Sequence, residues 1–107
     1  MSNLNFEERC KLGEILTSYF IEREKPGLCL KSLINICQIQ IDKAAVDYNL
    51  SVEELVTNFY SLLLDNQENL LYFLQVFQSR LTSDPDAKLT IENMFKNSSD
   101  RLLQINH

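Results

Sequence analysis

At 107 residues the chain amounts to one domain, long enough to bury a core without disulfide or metal staples. Hydrophobic residues make up 45% and charged residues 23%, ordinary globular usage that excludes disorder for the body of the chain. The net charge of −5, from 15 acidic and 10 basic residues, argues against nucleic acid and against an anionic membrane as partners, because both attract Lys and Arg.

There are only two Gly and two Pro, so the many tight turns of an all-β fold are not provided for, and long helices with few connections are expected. The first helix is capped by Asn5, with Glu8 three residues on in a capping-box position. Leu12, Ile15, Leu16, Tyr19 and Phe20 then form one amphipathic stripe. Gly13 interrupts it at a cost of about 1 kcal/mol relative to Ala, and close approach of a neighbouring helix is the simplest reason for it. Lys25, Pro26 and Gly27 end the element.

A second helical segment is expected over about residues 28–48, with Leu30, Leu33, Ile34, Cys37, Ile41, Ala44 and Tyr48 spaced by three and four. Residues 34–41 are Ile-rich and partly alternating, which also suits a strand. The alternation slips at Cys37, however, and no second β-like segment exists to satisfy a lone strand's backbone groups. The third helix has the strongest start signal: Ser51 as N-cap, Glu54 at N3, and Leu50 and Leu55 placed for a hydrophobic staple. Val52, Leu55, Val56, Phe59 and Leu63 make its apolar stripe, opposite Glu53, Glu54, Thr57 and Ser61.

Asp65-Asn66 breaks the chain, and either residue can cap a fourth helix with Leu70, Phe73, Leu74, Phe77 and Leu81 inward. Asp84 and Pro85 suit the N-cap and N1 of a new start. A last helix is expected over about residues 90–105, with Ile91, Met94, Phe95, Leu102 and Ile105 on one side and Asn97-Ser98-Ser99 as a point of splitting or fraying. Five such helices predict an all-α fold, a compact antiparallel bundle forming a single domain over residues 1–107.

The residues needed for catalysis are not assembled. The one histidine, His107, is terminal, where chains usually fray. Cys10, Cys29 and Cys37 are odd in number and lack the tight pairing of a zinc site, so no metal and no cofactor is expected. Cys37 sits on an apolar stripe and reads as a small core hydrophobe. Gly13 and Gly27 are isolated and form no phosphate-cradling loop. The pairs Glu7-Glu8 and Glu53-Glu54 fall in first helical turns, where they offset the dipole. No signal peptide follows Met1, and apolar runs such as residues 62–64 and 70–74 fall far short of the roughly 20 residues a membrane span needs. A cytoplasmic protein with reduced thiols is the resulting expectation.

The charge is unevenly spread. Residues 1–43 carry six acids and six bases, and residues 80–107 four and four, so the net charge rests on Asp47, Glu53, Glu54, Asp65 and Glu68. That stretch either forms a solvated acidic face or steers a basic partner. On the fourth helix, Tyr72 and Val76 are one turn apart and opposite the apolar stripe, with Asp65 and Glu68 on the same outer side. Either this helix is central and covered on both sides, or these four residues form a partner-binding face.

Phe6-Glu7-Glu8-Arg9, Leu12, Ile15-Leu16 and Phe20, followed by Glu54-Leu55-Val56, Phe59-Tyr60, Asn69-Leu70-Leu71, Leu74, Leu81 and Asp84-Pro85, resemble the small death-like and effector-associated helical domains of prokaryotic conflict systems. The resemblance covers the first four helices and implies a homotypic adaptor linking a sensor to an effector. Members of that group are usually fused to further domains, whereas this sequence reads as one domain, and no residue role carries over. Three functions compete: a non-enzymatic adaptor or signalling module that binds helical partners or itself, a small acidic inhibitor or immunity protein, and an assembly chaperone holding a peptide in a helical groove. An inhibitor's association rate should fall steeply with salt. A homotypic adaptor's oligomeric state should follow its own concentration, and a chaperone should bind extended peptides.

Overall fold

The computed structural model describes residues 3–37 and 49–105. Among the described residues there are five α-helices, α1 (Phe6–Ile21), α2 (Pro26–Ile36), α3 (Val52–Asp65), α4 (Gln67–Phe77) and α5 (Pro85–Ile105), with a 3-10 turn at Gln78–Arg80 after α4. Among the described residues there is no strand, and the architecture is the all-α bundle that the periodicity predicts. No helix among them is long and apolar enough to cross a membrane.

The starts of the helices follow their caps. Asn5 accepts from the Glu8 N–H at 2.8 Å, and the Glu8 carboxylate accepts from the Asn5 N–H at 3.0 Å, a complete capping box. Ser51 makes only half of one: its hydroxyl accepts from the Glu54 N–H at 3.3 Å and donates to the Glu54 carboxylate. Asn66, rather than Asp65, caps α4, accepting from the Asn69 N–H at 3.1 Å. Asp84 accepts from the Ala87 N–H at 3.1 Å.

Three boundaries differ from the sequence reading. Pro26 starts α2 instead of closing α1: its fixed φ and missing N–H suit the first helical position. α5 begins at the Asp84-Pro85 start itself, so the helix expected from about Thr90 is its continuation, and it runs unbroken through Asn97-Ser98-Ser99. Leu81 lies beyond α4, after the 3-10 turn, yet is still buried. The strand alternative fails at Ile34, Asn35 and Ile36, which are helical, and Cys37 is the C-cap. The rest of that segment, with Ile41, Ala44, Asp47 and Tyr48, lies outside the described residues, as does His107.

α1 presents Leu12, Leu16 and Phe20 to the core, α3 presents Leu55, Val56, Phe59 and Leu63, and α4 presents Leu70, Phe73, Leu74 and Phe77. Leu30, Leu33, Cys37, Leu81, Ile91 and Met94 close it from α2, the 3-10 turn and α5. Burial pushes the Cys37 thiol up to about 11, with Arg80 pulling weakly the other way, so it packs as a neutral hydrophobe. Gly13 does not mark a close helix approach: a Cβ there would meet only the Tyr60 ring, at an ordinary 3.8 Å.

The segment before α1 is strapped across α4 and α5. Leu4 is buried, the Asn3 N–H donates to Gln67 Oε1 at 2.9 Å, and Asn3 Nδ2 donates to the Ser98 carbonyl at 2.9 Å. Arg101 donates to the Asn3 carbonyl at 3.1 Å and to the Glu8 carboxylate. Burial raises the Glu8 carboxyl, but bonds from Arg101 and the Asn5 backbone, with the Arg101 charge, outweigh it and hold Glu8 below its ordinary value. A depressed folded-state value means stability that is present above the ordinary value and lost as pH falls through the lowered one. Gln can keep the capping contact but not the charge. Glu8→Gln should therefore be less stable than the parent at about pH 7, and the gap should narrow in acid, as the pH falls through the lowered Glu8 value. Urea midpoints at neutral and at acid pH check this, and a gap independent of pH would contradict it.

Candidate functional site

α4 is the helix whose two faces contrast most usefully. Its inner residues are fully enclosed, whereas Glu68, Tyr72 and Gln75 are exposed. Tyr72 retains 50% of its surface, so α4 is not covered on both sides. Glu68, Tyr72 and Val76 follow at i, i+4 and i+8, a line of about 12 Å along the helix. Val76 is half-buried, its side chain packed against the edge of the core.

Asp65 ends α3 and Glu68 stands in the first turn of α4, with Asn66 alone between the two helices. Both carboxylates are exposed. This tight junction brings the acids of two helices to one end of the Tyr72 stripe. Glu68 also offsets the positive end of the α4 dipole, a structural role that needs no partner. The sequence thus placed Asp65, Glu68, Tyr72 and Val76 together, and missed Gln75, which extends the same exposed face.

Two other concave surfaces escaped the sequence. One is a cleft of about 240 Å³ between the C-terminal half of α1 and the turn leading into α5. In it the Arg23 guanidinium stacks 4.1 Å over the Tyr19 ring, and the Cys29 thiol, outside its lining, lies 4.0 Å from the Tyr19 hydroxyl. Burial and Cys29 raise the Tyr19 phenol, which therefore stays neutral. The other is an open trough of about 590 Å³ between α1 and α3. Neither could be read from periodicity, because their walls are built from small or polar residues of separate helices.

Among the described residues, no group of three or more His, Cys, Asp or Glu is placed to hold a metal ion. The buried Ser98 hydroxyl meets only amide groups, those of Asn3 and Gln67. Compared with protein-family models, curated proteins and solved structures, the chain matches none.

Proposed function

We propose that this chain is a non-enzymatic protein–protein interaction module, a small cytoplasmic adaptor or signalling domain that recognises a partner protein through the outer face of α4. The observation that carries the reading is Tyr72: a half-exposed aromatic on a helix whose inner residues Leu70, Phe73, Leu74 and Phe77 are fully buried. Exposed tyrosines with an apolar floor and a polar rim are the usual anchors of interfaces, because the ring desolvates readily and loses little conformational freedom. Asp65 and Glu68 supply the rim and favour a basic partner. The resemblance to death-like adaptor domains agrees with this class.

An acidic inhibitor is the runner-up, favoured by the exposure of Glu53, Glu54, Asp65 and Glu68 in a stretch without any Lys or Arg. The test is a paired measurement on Tyr72→Ala. Affinity for the physiological partner should fall by more than about 1 kcal/mol, with the unfolding midpoint nearly unchanged. Asp65→Asn with Glu68→Gln should mainly slow association and flatten its salt dependence. Loss of several kcal/mol of stability in Tyr72→Ala would make the residue a core element and remove the site.

A further inference from the structure

α1 carries a second stripe that the core does not use. Phe6, Cys10, Gly13, Thr17 and Ile21 follow at i, i+4, i+7, i+11 and i+15, a line of about 22 Å. Its two ends are large and uncovered, Phe6 at 77% and Ile21 at 58% exposure. Its middle is small, and there the trough opens towards Val56, Thr57 and Tyr60 of α3.

The trough is apolar for a specific reason. Three of its hydroxyls are bonded to backbone carbonyls: Thr17 donates to Gly13 O at 2.9 Å, Thr57 to Glu53 O at 2.8 Å and Tyr60 to Arg9 O at 2.7 Å. The floor these bonds leave for a ligand is methyl groups, ring carbon and the space that a side chain at Gly13 would fill, with Ser18 and the Cys10 thiol beside it. Two exposed acids flank it, Glu14 in its wall on α1 and Glu53 one turn before Thr57 on α3. Neither is in an ion pair among the described residues. Arg9 is the cation at the Tyr60 end.

We propose that this trough binds an amphipathic helix of a partner protein, one that lays an aliphatic ridge between α1 and α3 and carries Lys or Arg along its flanks. A 22 Å line is about four helical turns, and Phe6 and Ile21 would close over the two ends of the ridge. Basic flanks complement Glu14 and Glu53. A second copy of this chain is a poorer occupant: pairing α1 with itself about Gly13 sets Glu14 beside its own symmetry mate. The trough shares no residue with the α4 face, so either surface can fail alone, and an adaptor needs two.

The probe is a synthetic helix of about 18 residues, Leu on one stripe and Lys on its flanks, with a Glu-flanked twin as control. Titrated into isotope-labelled protein, the Lys probe should shift amides at Cys10, Gly13, Thr17, Val56 and Tyr60, and bind at least about tenfold tighter than its twin. Gly13→Leu should weaken it by at least about tenfold by filling the trough. Glu14→Lys with Glu53→Lys, both at exposed positions, should reverse the preference between the probes and keeps the test open if Gly13→Leu does not fold. The proposal is overturned by equal affinity for the two probes, by shifts centred on α4 or the Tyr19 cleft, or by an unaltered affinity in both variants. It is also overturned if sedimentation shows the trough occupied by a second copy of the chain.

Discussion

Phe73→Ala should destabilise the bundle by about 3–5 kcal/mol, the largest effect expected from any single substitution here. The Phe73 side chain is completely enclosed. Its ring lies edge-on to Phe59 of α3 at 5.2 Å and stacks on Phe77 at 4.8 Å. Phe77 in turn meets Tyr19 of α1 edge-on at 5.1 Å, and Tyr19 meets Phe20 at 5.1 Å. Truncation at Phe73 therefore removes the aromatic link that joins α3 to α1 through α4. The cavity borders ring faces from several helices, which cannot all relax inward together. Domains of this size are stable by only about 5–15 kcal/mol, so much of the folded-state margin would go.

Urea denaturation of Phe73→Ala measures this directly, with the slope expected to stay near that of the parent. Tyr72→Ala is its natural control, because the adjacent residue on the same helix faces solvent where Phe73 faces the core. A drop of several kcal/mol at Phe73 with almost none at Tyr72 is the expected pair. Equal drops at both positions would show that α4 is covered on both faces and would remove the α4 docking site. A loss under about 1 kcal/mol at Phe73 would mean that α4 is not the central element of the core.

The residues that pack were legible because core positions obey a local rule. Leu12, Leu16 and Phe20, then Leu55, Val56, Phe59 and Leu63, then Leu70, Phe73, Leu74 and Phe77 recur at three and four, and all of them are buried. Asn5, Ser51 and Asp84 were legible as caps for the same reason, since their partners lie three residues away. Pro26 was misread because Pro-Gly after a helix marks both an ending and a beginning, and the sequence alone does not rank them. The stripe of α5 becomes legible only from about Thr90, because the turns after its Asp84 cap lack one: Leu89 is exposed, and Ala87 is small.

The outward direction of Tyr72 and Val76 followed from the helical period, but whether another element covers them depends on how the whole chain packs. The trough was invisible for a deeper reason. Cys10, Gly13 and Thr17 carry no amphipathic signal, and their apolar character arises only once Thr17 and Tyr60 have bonded to α1 carbonyls. The polar strap was equally hidden, since its partners Asn3 and Ser98 lie 95 positions apart.

That strap gives the second large expected effect. Ser98→Ala should cost about 1–3 kcal/mol, although Ala is the better helix former by up to about 0.7 kcal/mol. Ser98 is completely buried inside α5. Its hydroxyl donates to Asn3 Oδ1 and accepts from Gln67 Nε2 at 2.8 Å, so one atom ties the strap before α1 to the start of α4. Removing it leaves an amide donor on Gln67 and a carbonyl on Asn3 competing for partners in a half-buried site, and this penalty exceeds the gain in propensity. Asn3 also holds Arg101, which holds Glu8, so the loss should reach the α1 capping box. Amide exchange at Glu8 and Arg9 should accelerate in Ser98→Ala, while exchange at Phe59 and Phe73 should follow only the global change in stability. A variant within about 0.5 kcal/mol of the parent, with unaltered exchange at Glu8, would show that water replaces the hydroxyl and that the strap is held by Leu4 alone.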